Sequence, residues 1–306
     1  MRLGFVIPQV GYEVGATSTQ DFVRAIEQAG YGSAWVLDRL LFPVSPSEQY
    51  PASADGKLPD AYKRVLDPLA LLSFAAACSS KLNIGSSILN LAWYNPALLA
   101  RQLASIDVLS QGRLKLGVGT GWCPEEYEAV GVEWKTRGKR TDESIDLMRT
   151  LWSDAEPAYS GNYSSVPASV IDLKPVQSNV PIYMAAYTPP AMKRIAQKGD
   201  GWMPAGIPVS AMAQMFGGIR QMADDAGRDP QTLEMIVRAN VTILPQPLGA
   251  DRVPFVGSID EIREDIAATR EIGAHELLFD PQFSPDVADL SDLRDKIDQL
   301  MELARQ

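Results

Sequence analysis

Short apolar runs alternate with helix-forming segments eight times along this chain, and no other feature constrains its fold as strongly. The predicted strands are residues 3–8, 33–37, 82–89, 113–119, 181–185, 201–204, 233–244 and 276–280. Eight strand–helix units in 306 residues are typical of a (β/α)8 TIM barrel of the α/β class. The alternative is an open, doubly wound sheet, but the glycine fingerprint of its dinucleotide-binding form does not follow the first strand. We predict one barrel domain over residues 1–306.

Capping residues predict several helix boundaries. Ser18 and Asp21 form a capping-box pattern that predicts the start of the first helix, and Gly30 provides its C-terminal stop. Asn95 followed by Pro96 combines a preferred N-cap residue with proline at the first helical position. These signals place helices between the predicted strands, as a barrel requires.

Two segments interrupt the strand–helix pattern. Residues 41–66 follow the second strand, show no clear periodicity and contain four prolines. We interpret this insertion as a lid over the site, with an unstructured surface excursion as the alternative. Residues 157–174 precede the fifth strand and contain Gly161 and Asn162 between aromatic residues, which predicts a small inserted hairpin.

Composition limits the partners. Lysine and arginine number 28 against 38 aspartate and glutamate residues, so the formal net charge is −10. A surface of this sign repels phosphate groups, and we expect no nucleic acid and no membrane among the partners. The sequence shows neither a membrane-spanning apolar run nor a signal peptide, and its only cysteines are Cys78 and Cys123. We therefore expect a cytoplasmic protein that binds a small molecule.

The chain contains a single histidine, His275, directly before the last predicted strand. We interpret it as a structural residue at a strand entry. A multi-histidine metal site is excluded and a Ser-His-Asp triad is disfavoured, so we predict no metal site. This composition favours a cofactor that carries its own reactivity.

A glycine-rich loop follows the fourth predicted strand, at the end of the barrel where ligands bind. Gly117, Gly119 and Gly121 would let the backbone approach a planar or phosphorylated ligand closely, although glycine also serves tight turns. Trp122 adjoins this loop and is the tryptophan best placed to touch a ligand. Cys123 has no neighbouring base in the sequence, so we interpret it as a buried or half-buried thiol.

Charged and polar residues follow other strands at the same end. Asp38 and Arg39 follow the second strand and form either a salt bridge that holds the next loop or ligand contacts. Thr188 precedes two prolines and either simply caps a helix or presents the helix N-terminus to a phosphate. Glu125 and Glu126 are interpreted as first-turn helix acids favoured by the helix dipole.

Several segments together resemble one protein family. They are residues 95–122 (NPALLARQLASIDVLSQGRLKLGVGTGW), 124–131 (PEEYEAVG), 137–143 (RGKRTDE), 174–177 (KPVQ), 199–202 (GDGW) and 257–262 (GSIDEI). On these segments the chain is identified as a member of the bacterial luciferase-like monooxygenase superfamily. It is most similar to the branch that uses coenzyme F420. The resemblance implies a (β/α)8 barrel that binds coenzyme F420, or FMN as the alternative, at the C-terminal ends of its strands.

The resemblance also implies roles for individual residues. Asp38 matches the family's acid beside the cofactor, whereas Arg39 stands where several members have histidine. Ser87 and Ile88 match a strand bulge that often contains a cis non-proline peptide supporting the cofactor ring. Asp38 and Arg39 are the predicted catalytic residues. The predicted cofactor-binding residues are Asp38, Ser87, Ile88, Asn90, Gly119, Thr120, Gly121, Trp122, Ala186, Tyr187 and Thr188; the last three occupy the place where many members have Gly-Gly.

The function implied is an oxidoreductase that transfers hydride between coenzyme F420 and a small organic substrate such as an alcohol, ketone or conjugated alkene. One alternative is an FMN-dependent luciferase-like monooxygenase that inserts oxygen. A second is a flavin-binding barrel without catalytic activity. The resemblance further implies a homodimer.

Overall fold

The computed structural model describes residues 1–12, 14–53, 55–249 and 251–305. Within these residues, eight parallel strands close into a barrel in chain order, with the last strand paired to the first. Each predicted strand overlaps an observed one, so the predicted (β/α)8 barrel is confirmed. The strands are β1 (Arg2–Val6), β2 (Ser33–Val36), β3 (Asn83–Asn90), β4 (Leu114–Gly119), β5 (Ile182–Met184), β6 (Gly201–Trp202), β7 (Glu234–Asn240) and β8 (Glu276–Asp280).

Helices surround the barrel and bury apolar side chains against the outer face of its strands. Asn95 caps α3 as predicted, since its side-chain oxygen accepts from the backbone N–H groups of Ala97 and Leu98 at 3.1 Å each. No helix among the described residues has the length and apolarity to cross a membrane. The helices of the described chain are α1 (Ala16–Ala29), α2 (Pro68–Cys78), α3 (Pro96–Leu109), α4 (Pro124–Ala129), α5 (Arg137–Ser153), α6 (Pro189–Lys198), α7 (Val209–Asp225), α8 (Ile259–Glu271) and α9 (Leu290–Arg305).

The start predicted for α1 is wrong by three residues, since the pattern makes Ser18 the N-cap. The helix begins at Ala16 with Gly15 as its N-cap, and Ser18 is its third residue. The Ser18 hydroxyl accepts a hydrogen bond from the Gly15 N–H at 2.9 Å, so it acts from inside the helix rather than from the cap. Serine suits both positions because its short hydroxyl reaches either set of free N–H groups. The end of α1 is confirmed, since Gly30 has a φ of +95°.

A buried ionic network closes the amino-terminal end of the barrel interior. Lys115 on β4 forms a 2.8 Å ion pair with Glu276 on β8, the strand on the opposite side of the barrel. Ser33 and Trp35 on β2 donate to the other Glu276 oxygen at 2.5 and 3.1 Å. His275 lies at this end and accepts from a backbone N–H through Nδ1, so it is remote from the strand C-termini. We call the opposite, carboxyl-terminal end of the barrel the mouth.

The β2–α2 segment (residues 37–67) folds over the mouth. Gln9, at the exit of β1, donates through Nε2 to the carbonyl oxygens of Leu37 and Leu66 at 2.8 and 2.6 Å. These bonds hold both ends of the segment to the barrel. Tyr62 is buried in a small hydrophobic cluster that includes Leu37. This packing favours the lid interpretation over an unstructured excursion.

The second insertion forms the predicted hairpin between α5 and β5. Tyr159–Ser160 pairs antiparallel with Ser165–Val166. The Glu143 carboxylate on α5 accepts from three backbone N–H groups of the intervening turn at 2.6–2.9 Å. A helix side chain therefore fixes the hairpin.

The predicted seventh strand, residues 233–244, is divided in the structure. Barrel strand β7 ends at Asn240, and Thr242–Ile243 forms a separate parallel pair with Val256–Gly257. The apolar run is continuous, so the sequence pattern alone does not show where the chain leaves the barrel.

Candidate functional site

Asp38 lies at the mouth, where the ends of β2 and β3 meet. Its Oδ2 accepts from the Asn90 backbone N–H at 2.9 Å and from the Tyr94 hydroxyl at 3.1 Å. Burial raises the pKa of Asp38 to about 7, although these two hydrogen bonds oppose the rise. A carboxyl group that titrates near neutral pH can both give and take a proton under physiological conditions.

Arg39 forms a buried ion pair with Glu126 on α4. Its Nη2 lies 2.8 Å from Glu126 Oε2, and the two side chains are 6% and 1% exposed. Glu126 Oε1 also accepts from the Leu40 N–H at 2.8 Å. Arg39 therefore forms a salt bridge that holds the next loop, but its partner is Glu126 and not Asp38. Glu126 does lie in the first turn of α4, as interpreted, but it also clamps the start of the β2–α2 segment.

The glycine-rich loop packs against Asn90 at the end of β3. The Tyr127 hydroxyl donates to Asn90 Oδ1 at 2.8 Å and to the Thr120 carbonyl oxygen at 2.6 Å, which joins the ends of β3 and β4. Gly121 has a φ of +65°, and a Cβ at this position would collide with Asn90 Nδ2. Asn90 Nδ2 is buried, and none of the described residues accepts its hydrogen bonds. The loop thus brings bare backbone beside an unsatisfied donor.

The Ser87–Ile88 peptide is cis, as the family resemblance implies for this bulge. The β3–β4 register shifts between Ser86 and Leu89, on either side of this peptide. The Ile88 side chain fills the space where Gly119 would carry a Cβ. Ser87, Ile88 and Gly119 therefore form one contact surface between β3 and β4.

Arg238 on β7 crosses the barrel beneath the mouth. Its Nη1 donates to the Ser87 carbonyl and, at 3.1 Å, to the Ser87 hydroxyl, while Nη2 pairs with Asp280 on β8. Its Nε donates to Asn240 Oδ1 at 3.0 Å. The guanidinium group therefore ties β3, β7 and β8 together below the candidate site.

Ala186, Tyr187 and Thr188 lie at the mouth after β5, the strand next to β4. Ala186 is buried in the main core, and its carbonyl accepts from Trp202 Nε1 at 2.8 Å. The Tyr187 hydroxyl donates to the Ala205 carbonyl at 3.1 Å and accepts from the Ala205 N–H at 2.9 Å. Thr188 caps α6 without a side-chain hydrogen bond. Within the described chain, the hydrogen bonds of these residues run to Ala205 and Trp202 and not to Asp38 or Asn90, so they form a separate part of the mouth.

A row of aromatic side chains covers one side of the mouth. Tyr50 and Tyr62 come from the β2–α2 segment, with ring centroids 5.9 Å apart. Tyr50 lies 5.2 Å from Trp122, and Tyr62 lies 5.3 Å from Phe283 beyond β8. The Arg39 guanidinium carbon is 4.8 Å from the Trp122 ring centroid and 5.9 Å from that of Tyr62. Trp122, the tryptophan predicted to touch a ligand, thus lies beneath the β2–α2 segment.

Sequence reasoning did not identify three side chains at the candidate site, Tyr94, Arg238 and Asp280, and it missed the ion pair of Glu126 with Arg39. Arg238 had a visible signal, since it is a charged residue within an otherwise apolar strand segment, MIVRA. Asp280 similarly ends an apolar strand. Cys123 is a buried thiol, as expected, and burial raises its pKa to about 11. The described residues contain no cluster of three or more side chains suited to a metal ion.

The fold and the mouth define a (β/α)8-barrel protein. At the C-terminal ends of its strands lie a carboxyl group with a pKa near neutral pH and a glycine-rich loop that packs closely against the neighbouring strand. The chain belongs to the luciferase-like monooxygenase family, whose model matches residues 1–253. This finding confirms the resemblance drawn from the sequence motifs.

Comparison with known proteins found sequence relatives and solved structures of similar fold. The chain is 31% identical over 255 residues to an uncharacterized protein of Mycobacterium tuberculosis. The aligned region covers 80% of this chain and 88% of that protein. It is 32% identical over 207 residues to the F420-dependent glucose-6-phosphate dehydrogenase of Kineococcus radiotolerans, covering 66% of this chain and 56% of that protein. Its fold is similar to that of an F420-dependent secondary alcohol dehydrogenase solved with an F420-acetone adduct. That likeness has a TM-score of 0.78 at 21% identity and covers 100% of this chain and 99% of the other.

Proposed function

We propose that the protein is an oxidoreductase that uses coenzyme F420 to transfer hydride to or from a small alcohol, ketone or conjugated alkene. The observation that carries this proposal is the Asp38 carboxyl group, whose pKa is about 7, at the same end of the barrel as the Gly119–Gly121 loop. Relatives named for their dependence on coenzyme F420 support the choice of cofactor.

The residues at the mouth fit a flat, polar-edged cofactor. Gly119 and Gly121 pack against Ile88 and Asn90, where a Cβ would collide, so the glycine backbone lies close to the end of β3. Asn90 Nδ2 is a buried donor without an acceptor in the described chain, and a ring carbonyl would satisfy it. We infer that the cofactor is held by Asp38, Ser87, Ile88, Asn90, Gly119, Thr120, Gly121 and Trp122, with Ala186, Tyr187 and Thr188 on the β5 side.

The chain's own contribution is to orient the reactants and move one proton. Bound coenzyme F420 supplies a carbon centre that gives or accepts hydride. When a ketone is reduced, its oxygen must gain a proton, and Asp38 is protonated often enough near neutral pH to supply it. In alcohol oxidation Asp38 accepts that proton. Arg39, held by Glu126, orients the oxygen, and the β2–α2 segment excludes water.

Direct titration tests this function against its alternatives. Purified protein is titrated with coenzyme F420 and separately with FMN, and the fluorescence of each cofactor is followed. We expect binding of coenzyme F420 in the micromolar range and none of FMN. The reverse result would establish the FMN-dependent monooxygenase instead. Binding of coenzyme F420 without turnover of any alcohol, ketone or enone in a broad panel would favour the non-catalytic barrel.

A further inference from the structure

We propose that the substrate is a neutral, planar, conjugated carbonyl compound that stacks on Trp122 and accepts a hydrogen bond from Nη1 of Arg39. This inference rests on the proposed function and narrows its substrate class. Three features of the mouth support it: the row of aromatic rings, an unused donor and the balance of charge.

The aromatic row offers faces for a flat ligand. Trp122, Tyr50, Tyr62 and Phe283 come from three separate parts of the chain, yet consecutive ring centroids lie only 5.2–5.9 Å apart. Tyr50 and Tyr62 both belong to the β2–α2 segment, whereas Trp122 follows β4. Movement of the Tyr50 side chain alone would free that face of Trp122 and leave Arg39 in place. A conjugated ligand then takes the place of a tyrosine ring.

Arg39 provides a donor that the protein does not use. Its side chain is 6% exposed, and its Nη2 is committed to Glu126. In the described part of the chain no acceptor reaches Nη1, which is fully buried. Buried guanidinium N–H groups normally have partners, so this one is suited to an oxygen that arrives with the ligand. Because the guanidinium group lies beside Trp122, a carbonyl conjugated to a stacked ring can reach it.

The charges at the mouth favour a neutral ligand over an anion. Glu126 compensates Arg39, and Asp280 compensates Arg238, in two ion pairs whose acidic side chains are each 1% exposed. Asp38 adds further negative charge whenever it ionises. A carboxylate or phosphate would therefore meet two arginines already neutralised by their own acids, whereas a ketone oxygen only needs the donor.

Two probes of the same shape test the inference: 4-phenylbut-3-en-2-one, a neutral enone, and trans-cinnamate, its carboxylate analogue. Equilibrium dialysis measures their binding to the purified full chain, without any requirement for turnover. We expect the enone to bind about tenfold or more tightly than cinnamate, in line with a single differential interaction. Arg39→Lys keeps a charge for Glu126 but lacks Nη1, so it should lose most of that preference. Trp122→Leu should weaken the binding of the enone.

The matched control is Arg294→Lys, an exposed arginine paired with Asp298 on α9, which should leave both affinities unchanged. Equal or tighter binding of cinnamate would overturn the inference, as would an unchanged preference in Arg39→Lys. Should Arg39→Lys fail to fold, Trp122→Leu still decides whether the probe stacks at this position. If the enone binds selectively but coenzyme F420 does not bind, the substrate inference stands and the proposed function fails.

Discussion

Arg238 on β7 donates to both the carbonyl and the hydroxyl oxygen of Ser87 on β3, the strand directly across the barrel. The same guanidinium pairs with Asp280, whose side chain is 1% exposed. One arginine therefore supports the β3 bulge and neutralises a buried carboxylate.

Replacing Arg238 should destabilise the fold strongly. Arg238→Met leaves Asp280 buried without its cation, and we expect the unfolding free energy to fall by about 3–5 kcal/mol. Arg238→Met combined with Asp280→Asn should recover part of that loss, because the uncompensated charge is gone. Urea denaturation measures both. The exposed pair provides the comparison, since Arg294→Met should cost at most about 1 kcal/mol. A loss for Arg238→Met no larger than this would contradict the role assigned to it.

Asp38 should make stability depend on pH in a defined direction. Its pKa is about 7 in the folded protein and close to 3.8 when it is free in solution, so the folded state binds the proton more tightly. Unfolding free energy should therefore decrease as pH rises from about 4 to 7 and level off above that range. Asp38→Asn removes this pH dependence. The unfolding free energy of the variant minus that of the unmodified protein should therefore increase over the same pH interval. Denaturation at a series of pH values measures the difference, and a flat difference curve would show that Asp38 titrates normally.

Tyr94→Phe should move the titration of Asp38 upward. The Tyr94 hydroxyl donates to Asp38 Oδ2 at 3.1 Å and lowers the pKa of that carboxyl, so its loss should raise the pKa above 7. The alkaline limb of the pH profile of kcat/KM for ketone reduction, where Asp38 loses the proton it must supply, should shift to higher pH. Tyr31→Phe removes a buried hydroxyl that donates to the Ile297 carbonyl far from the mouth. It should lower stability without moving the profile, and equal profiles for the two variants would refute the assignment.

Gly121→Ala should impair cofactor binding more than folding. The added methyl group requires an unfavourable φ of +65° and collides with Asn90 Nδ2. Gly131→Ala is the matched control, because Gly131 has a φ of +69° but no atom within 4 Å of its Cβ position. Gly131→Ala should lose about 1–2 kcal/mol of stability from backbone strain, and Gly121→Ala should lose at least as much because its methyl group also displaces Asn90. Only Gly121→Ala should weaken coenzyme F420 binding, by about tenfold or more, as measured by fluorescence titration. Equal affinities in the two variants would remove the loop from the cofactor site.

The predicted homodimer has a candidate surface in the structure. We propose that a second copy covers the face of α2 and α3, where Leu98 and Leu109 are 54% and 65% exposed. A groove of about 460 Å³ on this face is lined by both Asp67 and Arg101, so a twofold arrangement can match opposite charges. Light scattering should give twice the 33.3 kDa chain mass, and Leu109→Glu should reduce it to that of one chain. Val44→Glu, at an already exposed position outside this face, should have no effect. A single-chain mass for the unmodified protein would exclude the dimer.

The strands were predictable because each is a short, mostly apolar run, and such a pattern can be recognised from neighbouring residues in the sequence. Asp38, Asn90 and Gly121 were predictable as neighbours because parallel strands in a barrel bring their C-termini to one end. The partners of these residues were not. Arg238 contacts Ser87 across 151 positions of sequence, and Arg39 contacts Glu126 across 87. Nothing in a local pattern indicates which side chains face each other inside a closed barrel, so these contacts required the three-dimensional structure.

Strand β8 carries one buried carboxylate near each end, Glu276 and Asp280, with each bound by a cation from a different strand. Both point inward because they are four residues apart on a repeat of two. A register shift of one residue in this strand would turn both acids outward, into the apolar layer between the barrel and the helices. The two acids therefore fix a single register for the strand that closes the barrel.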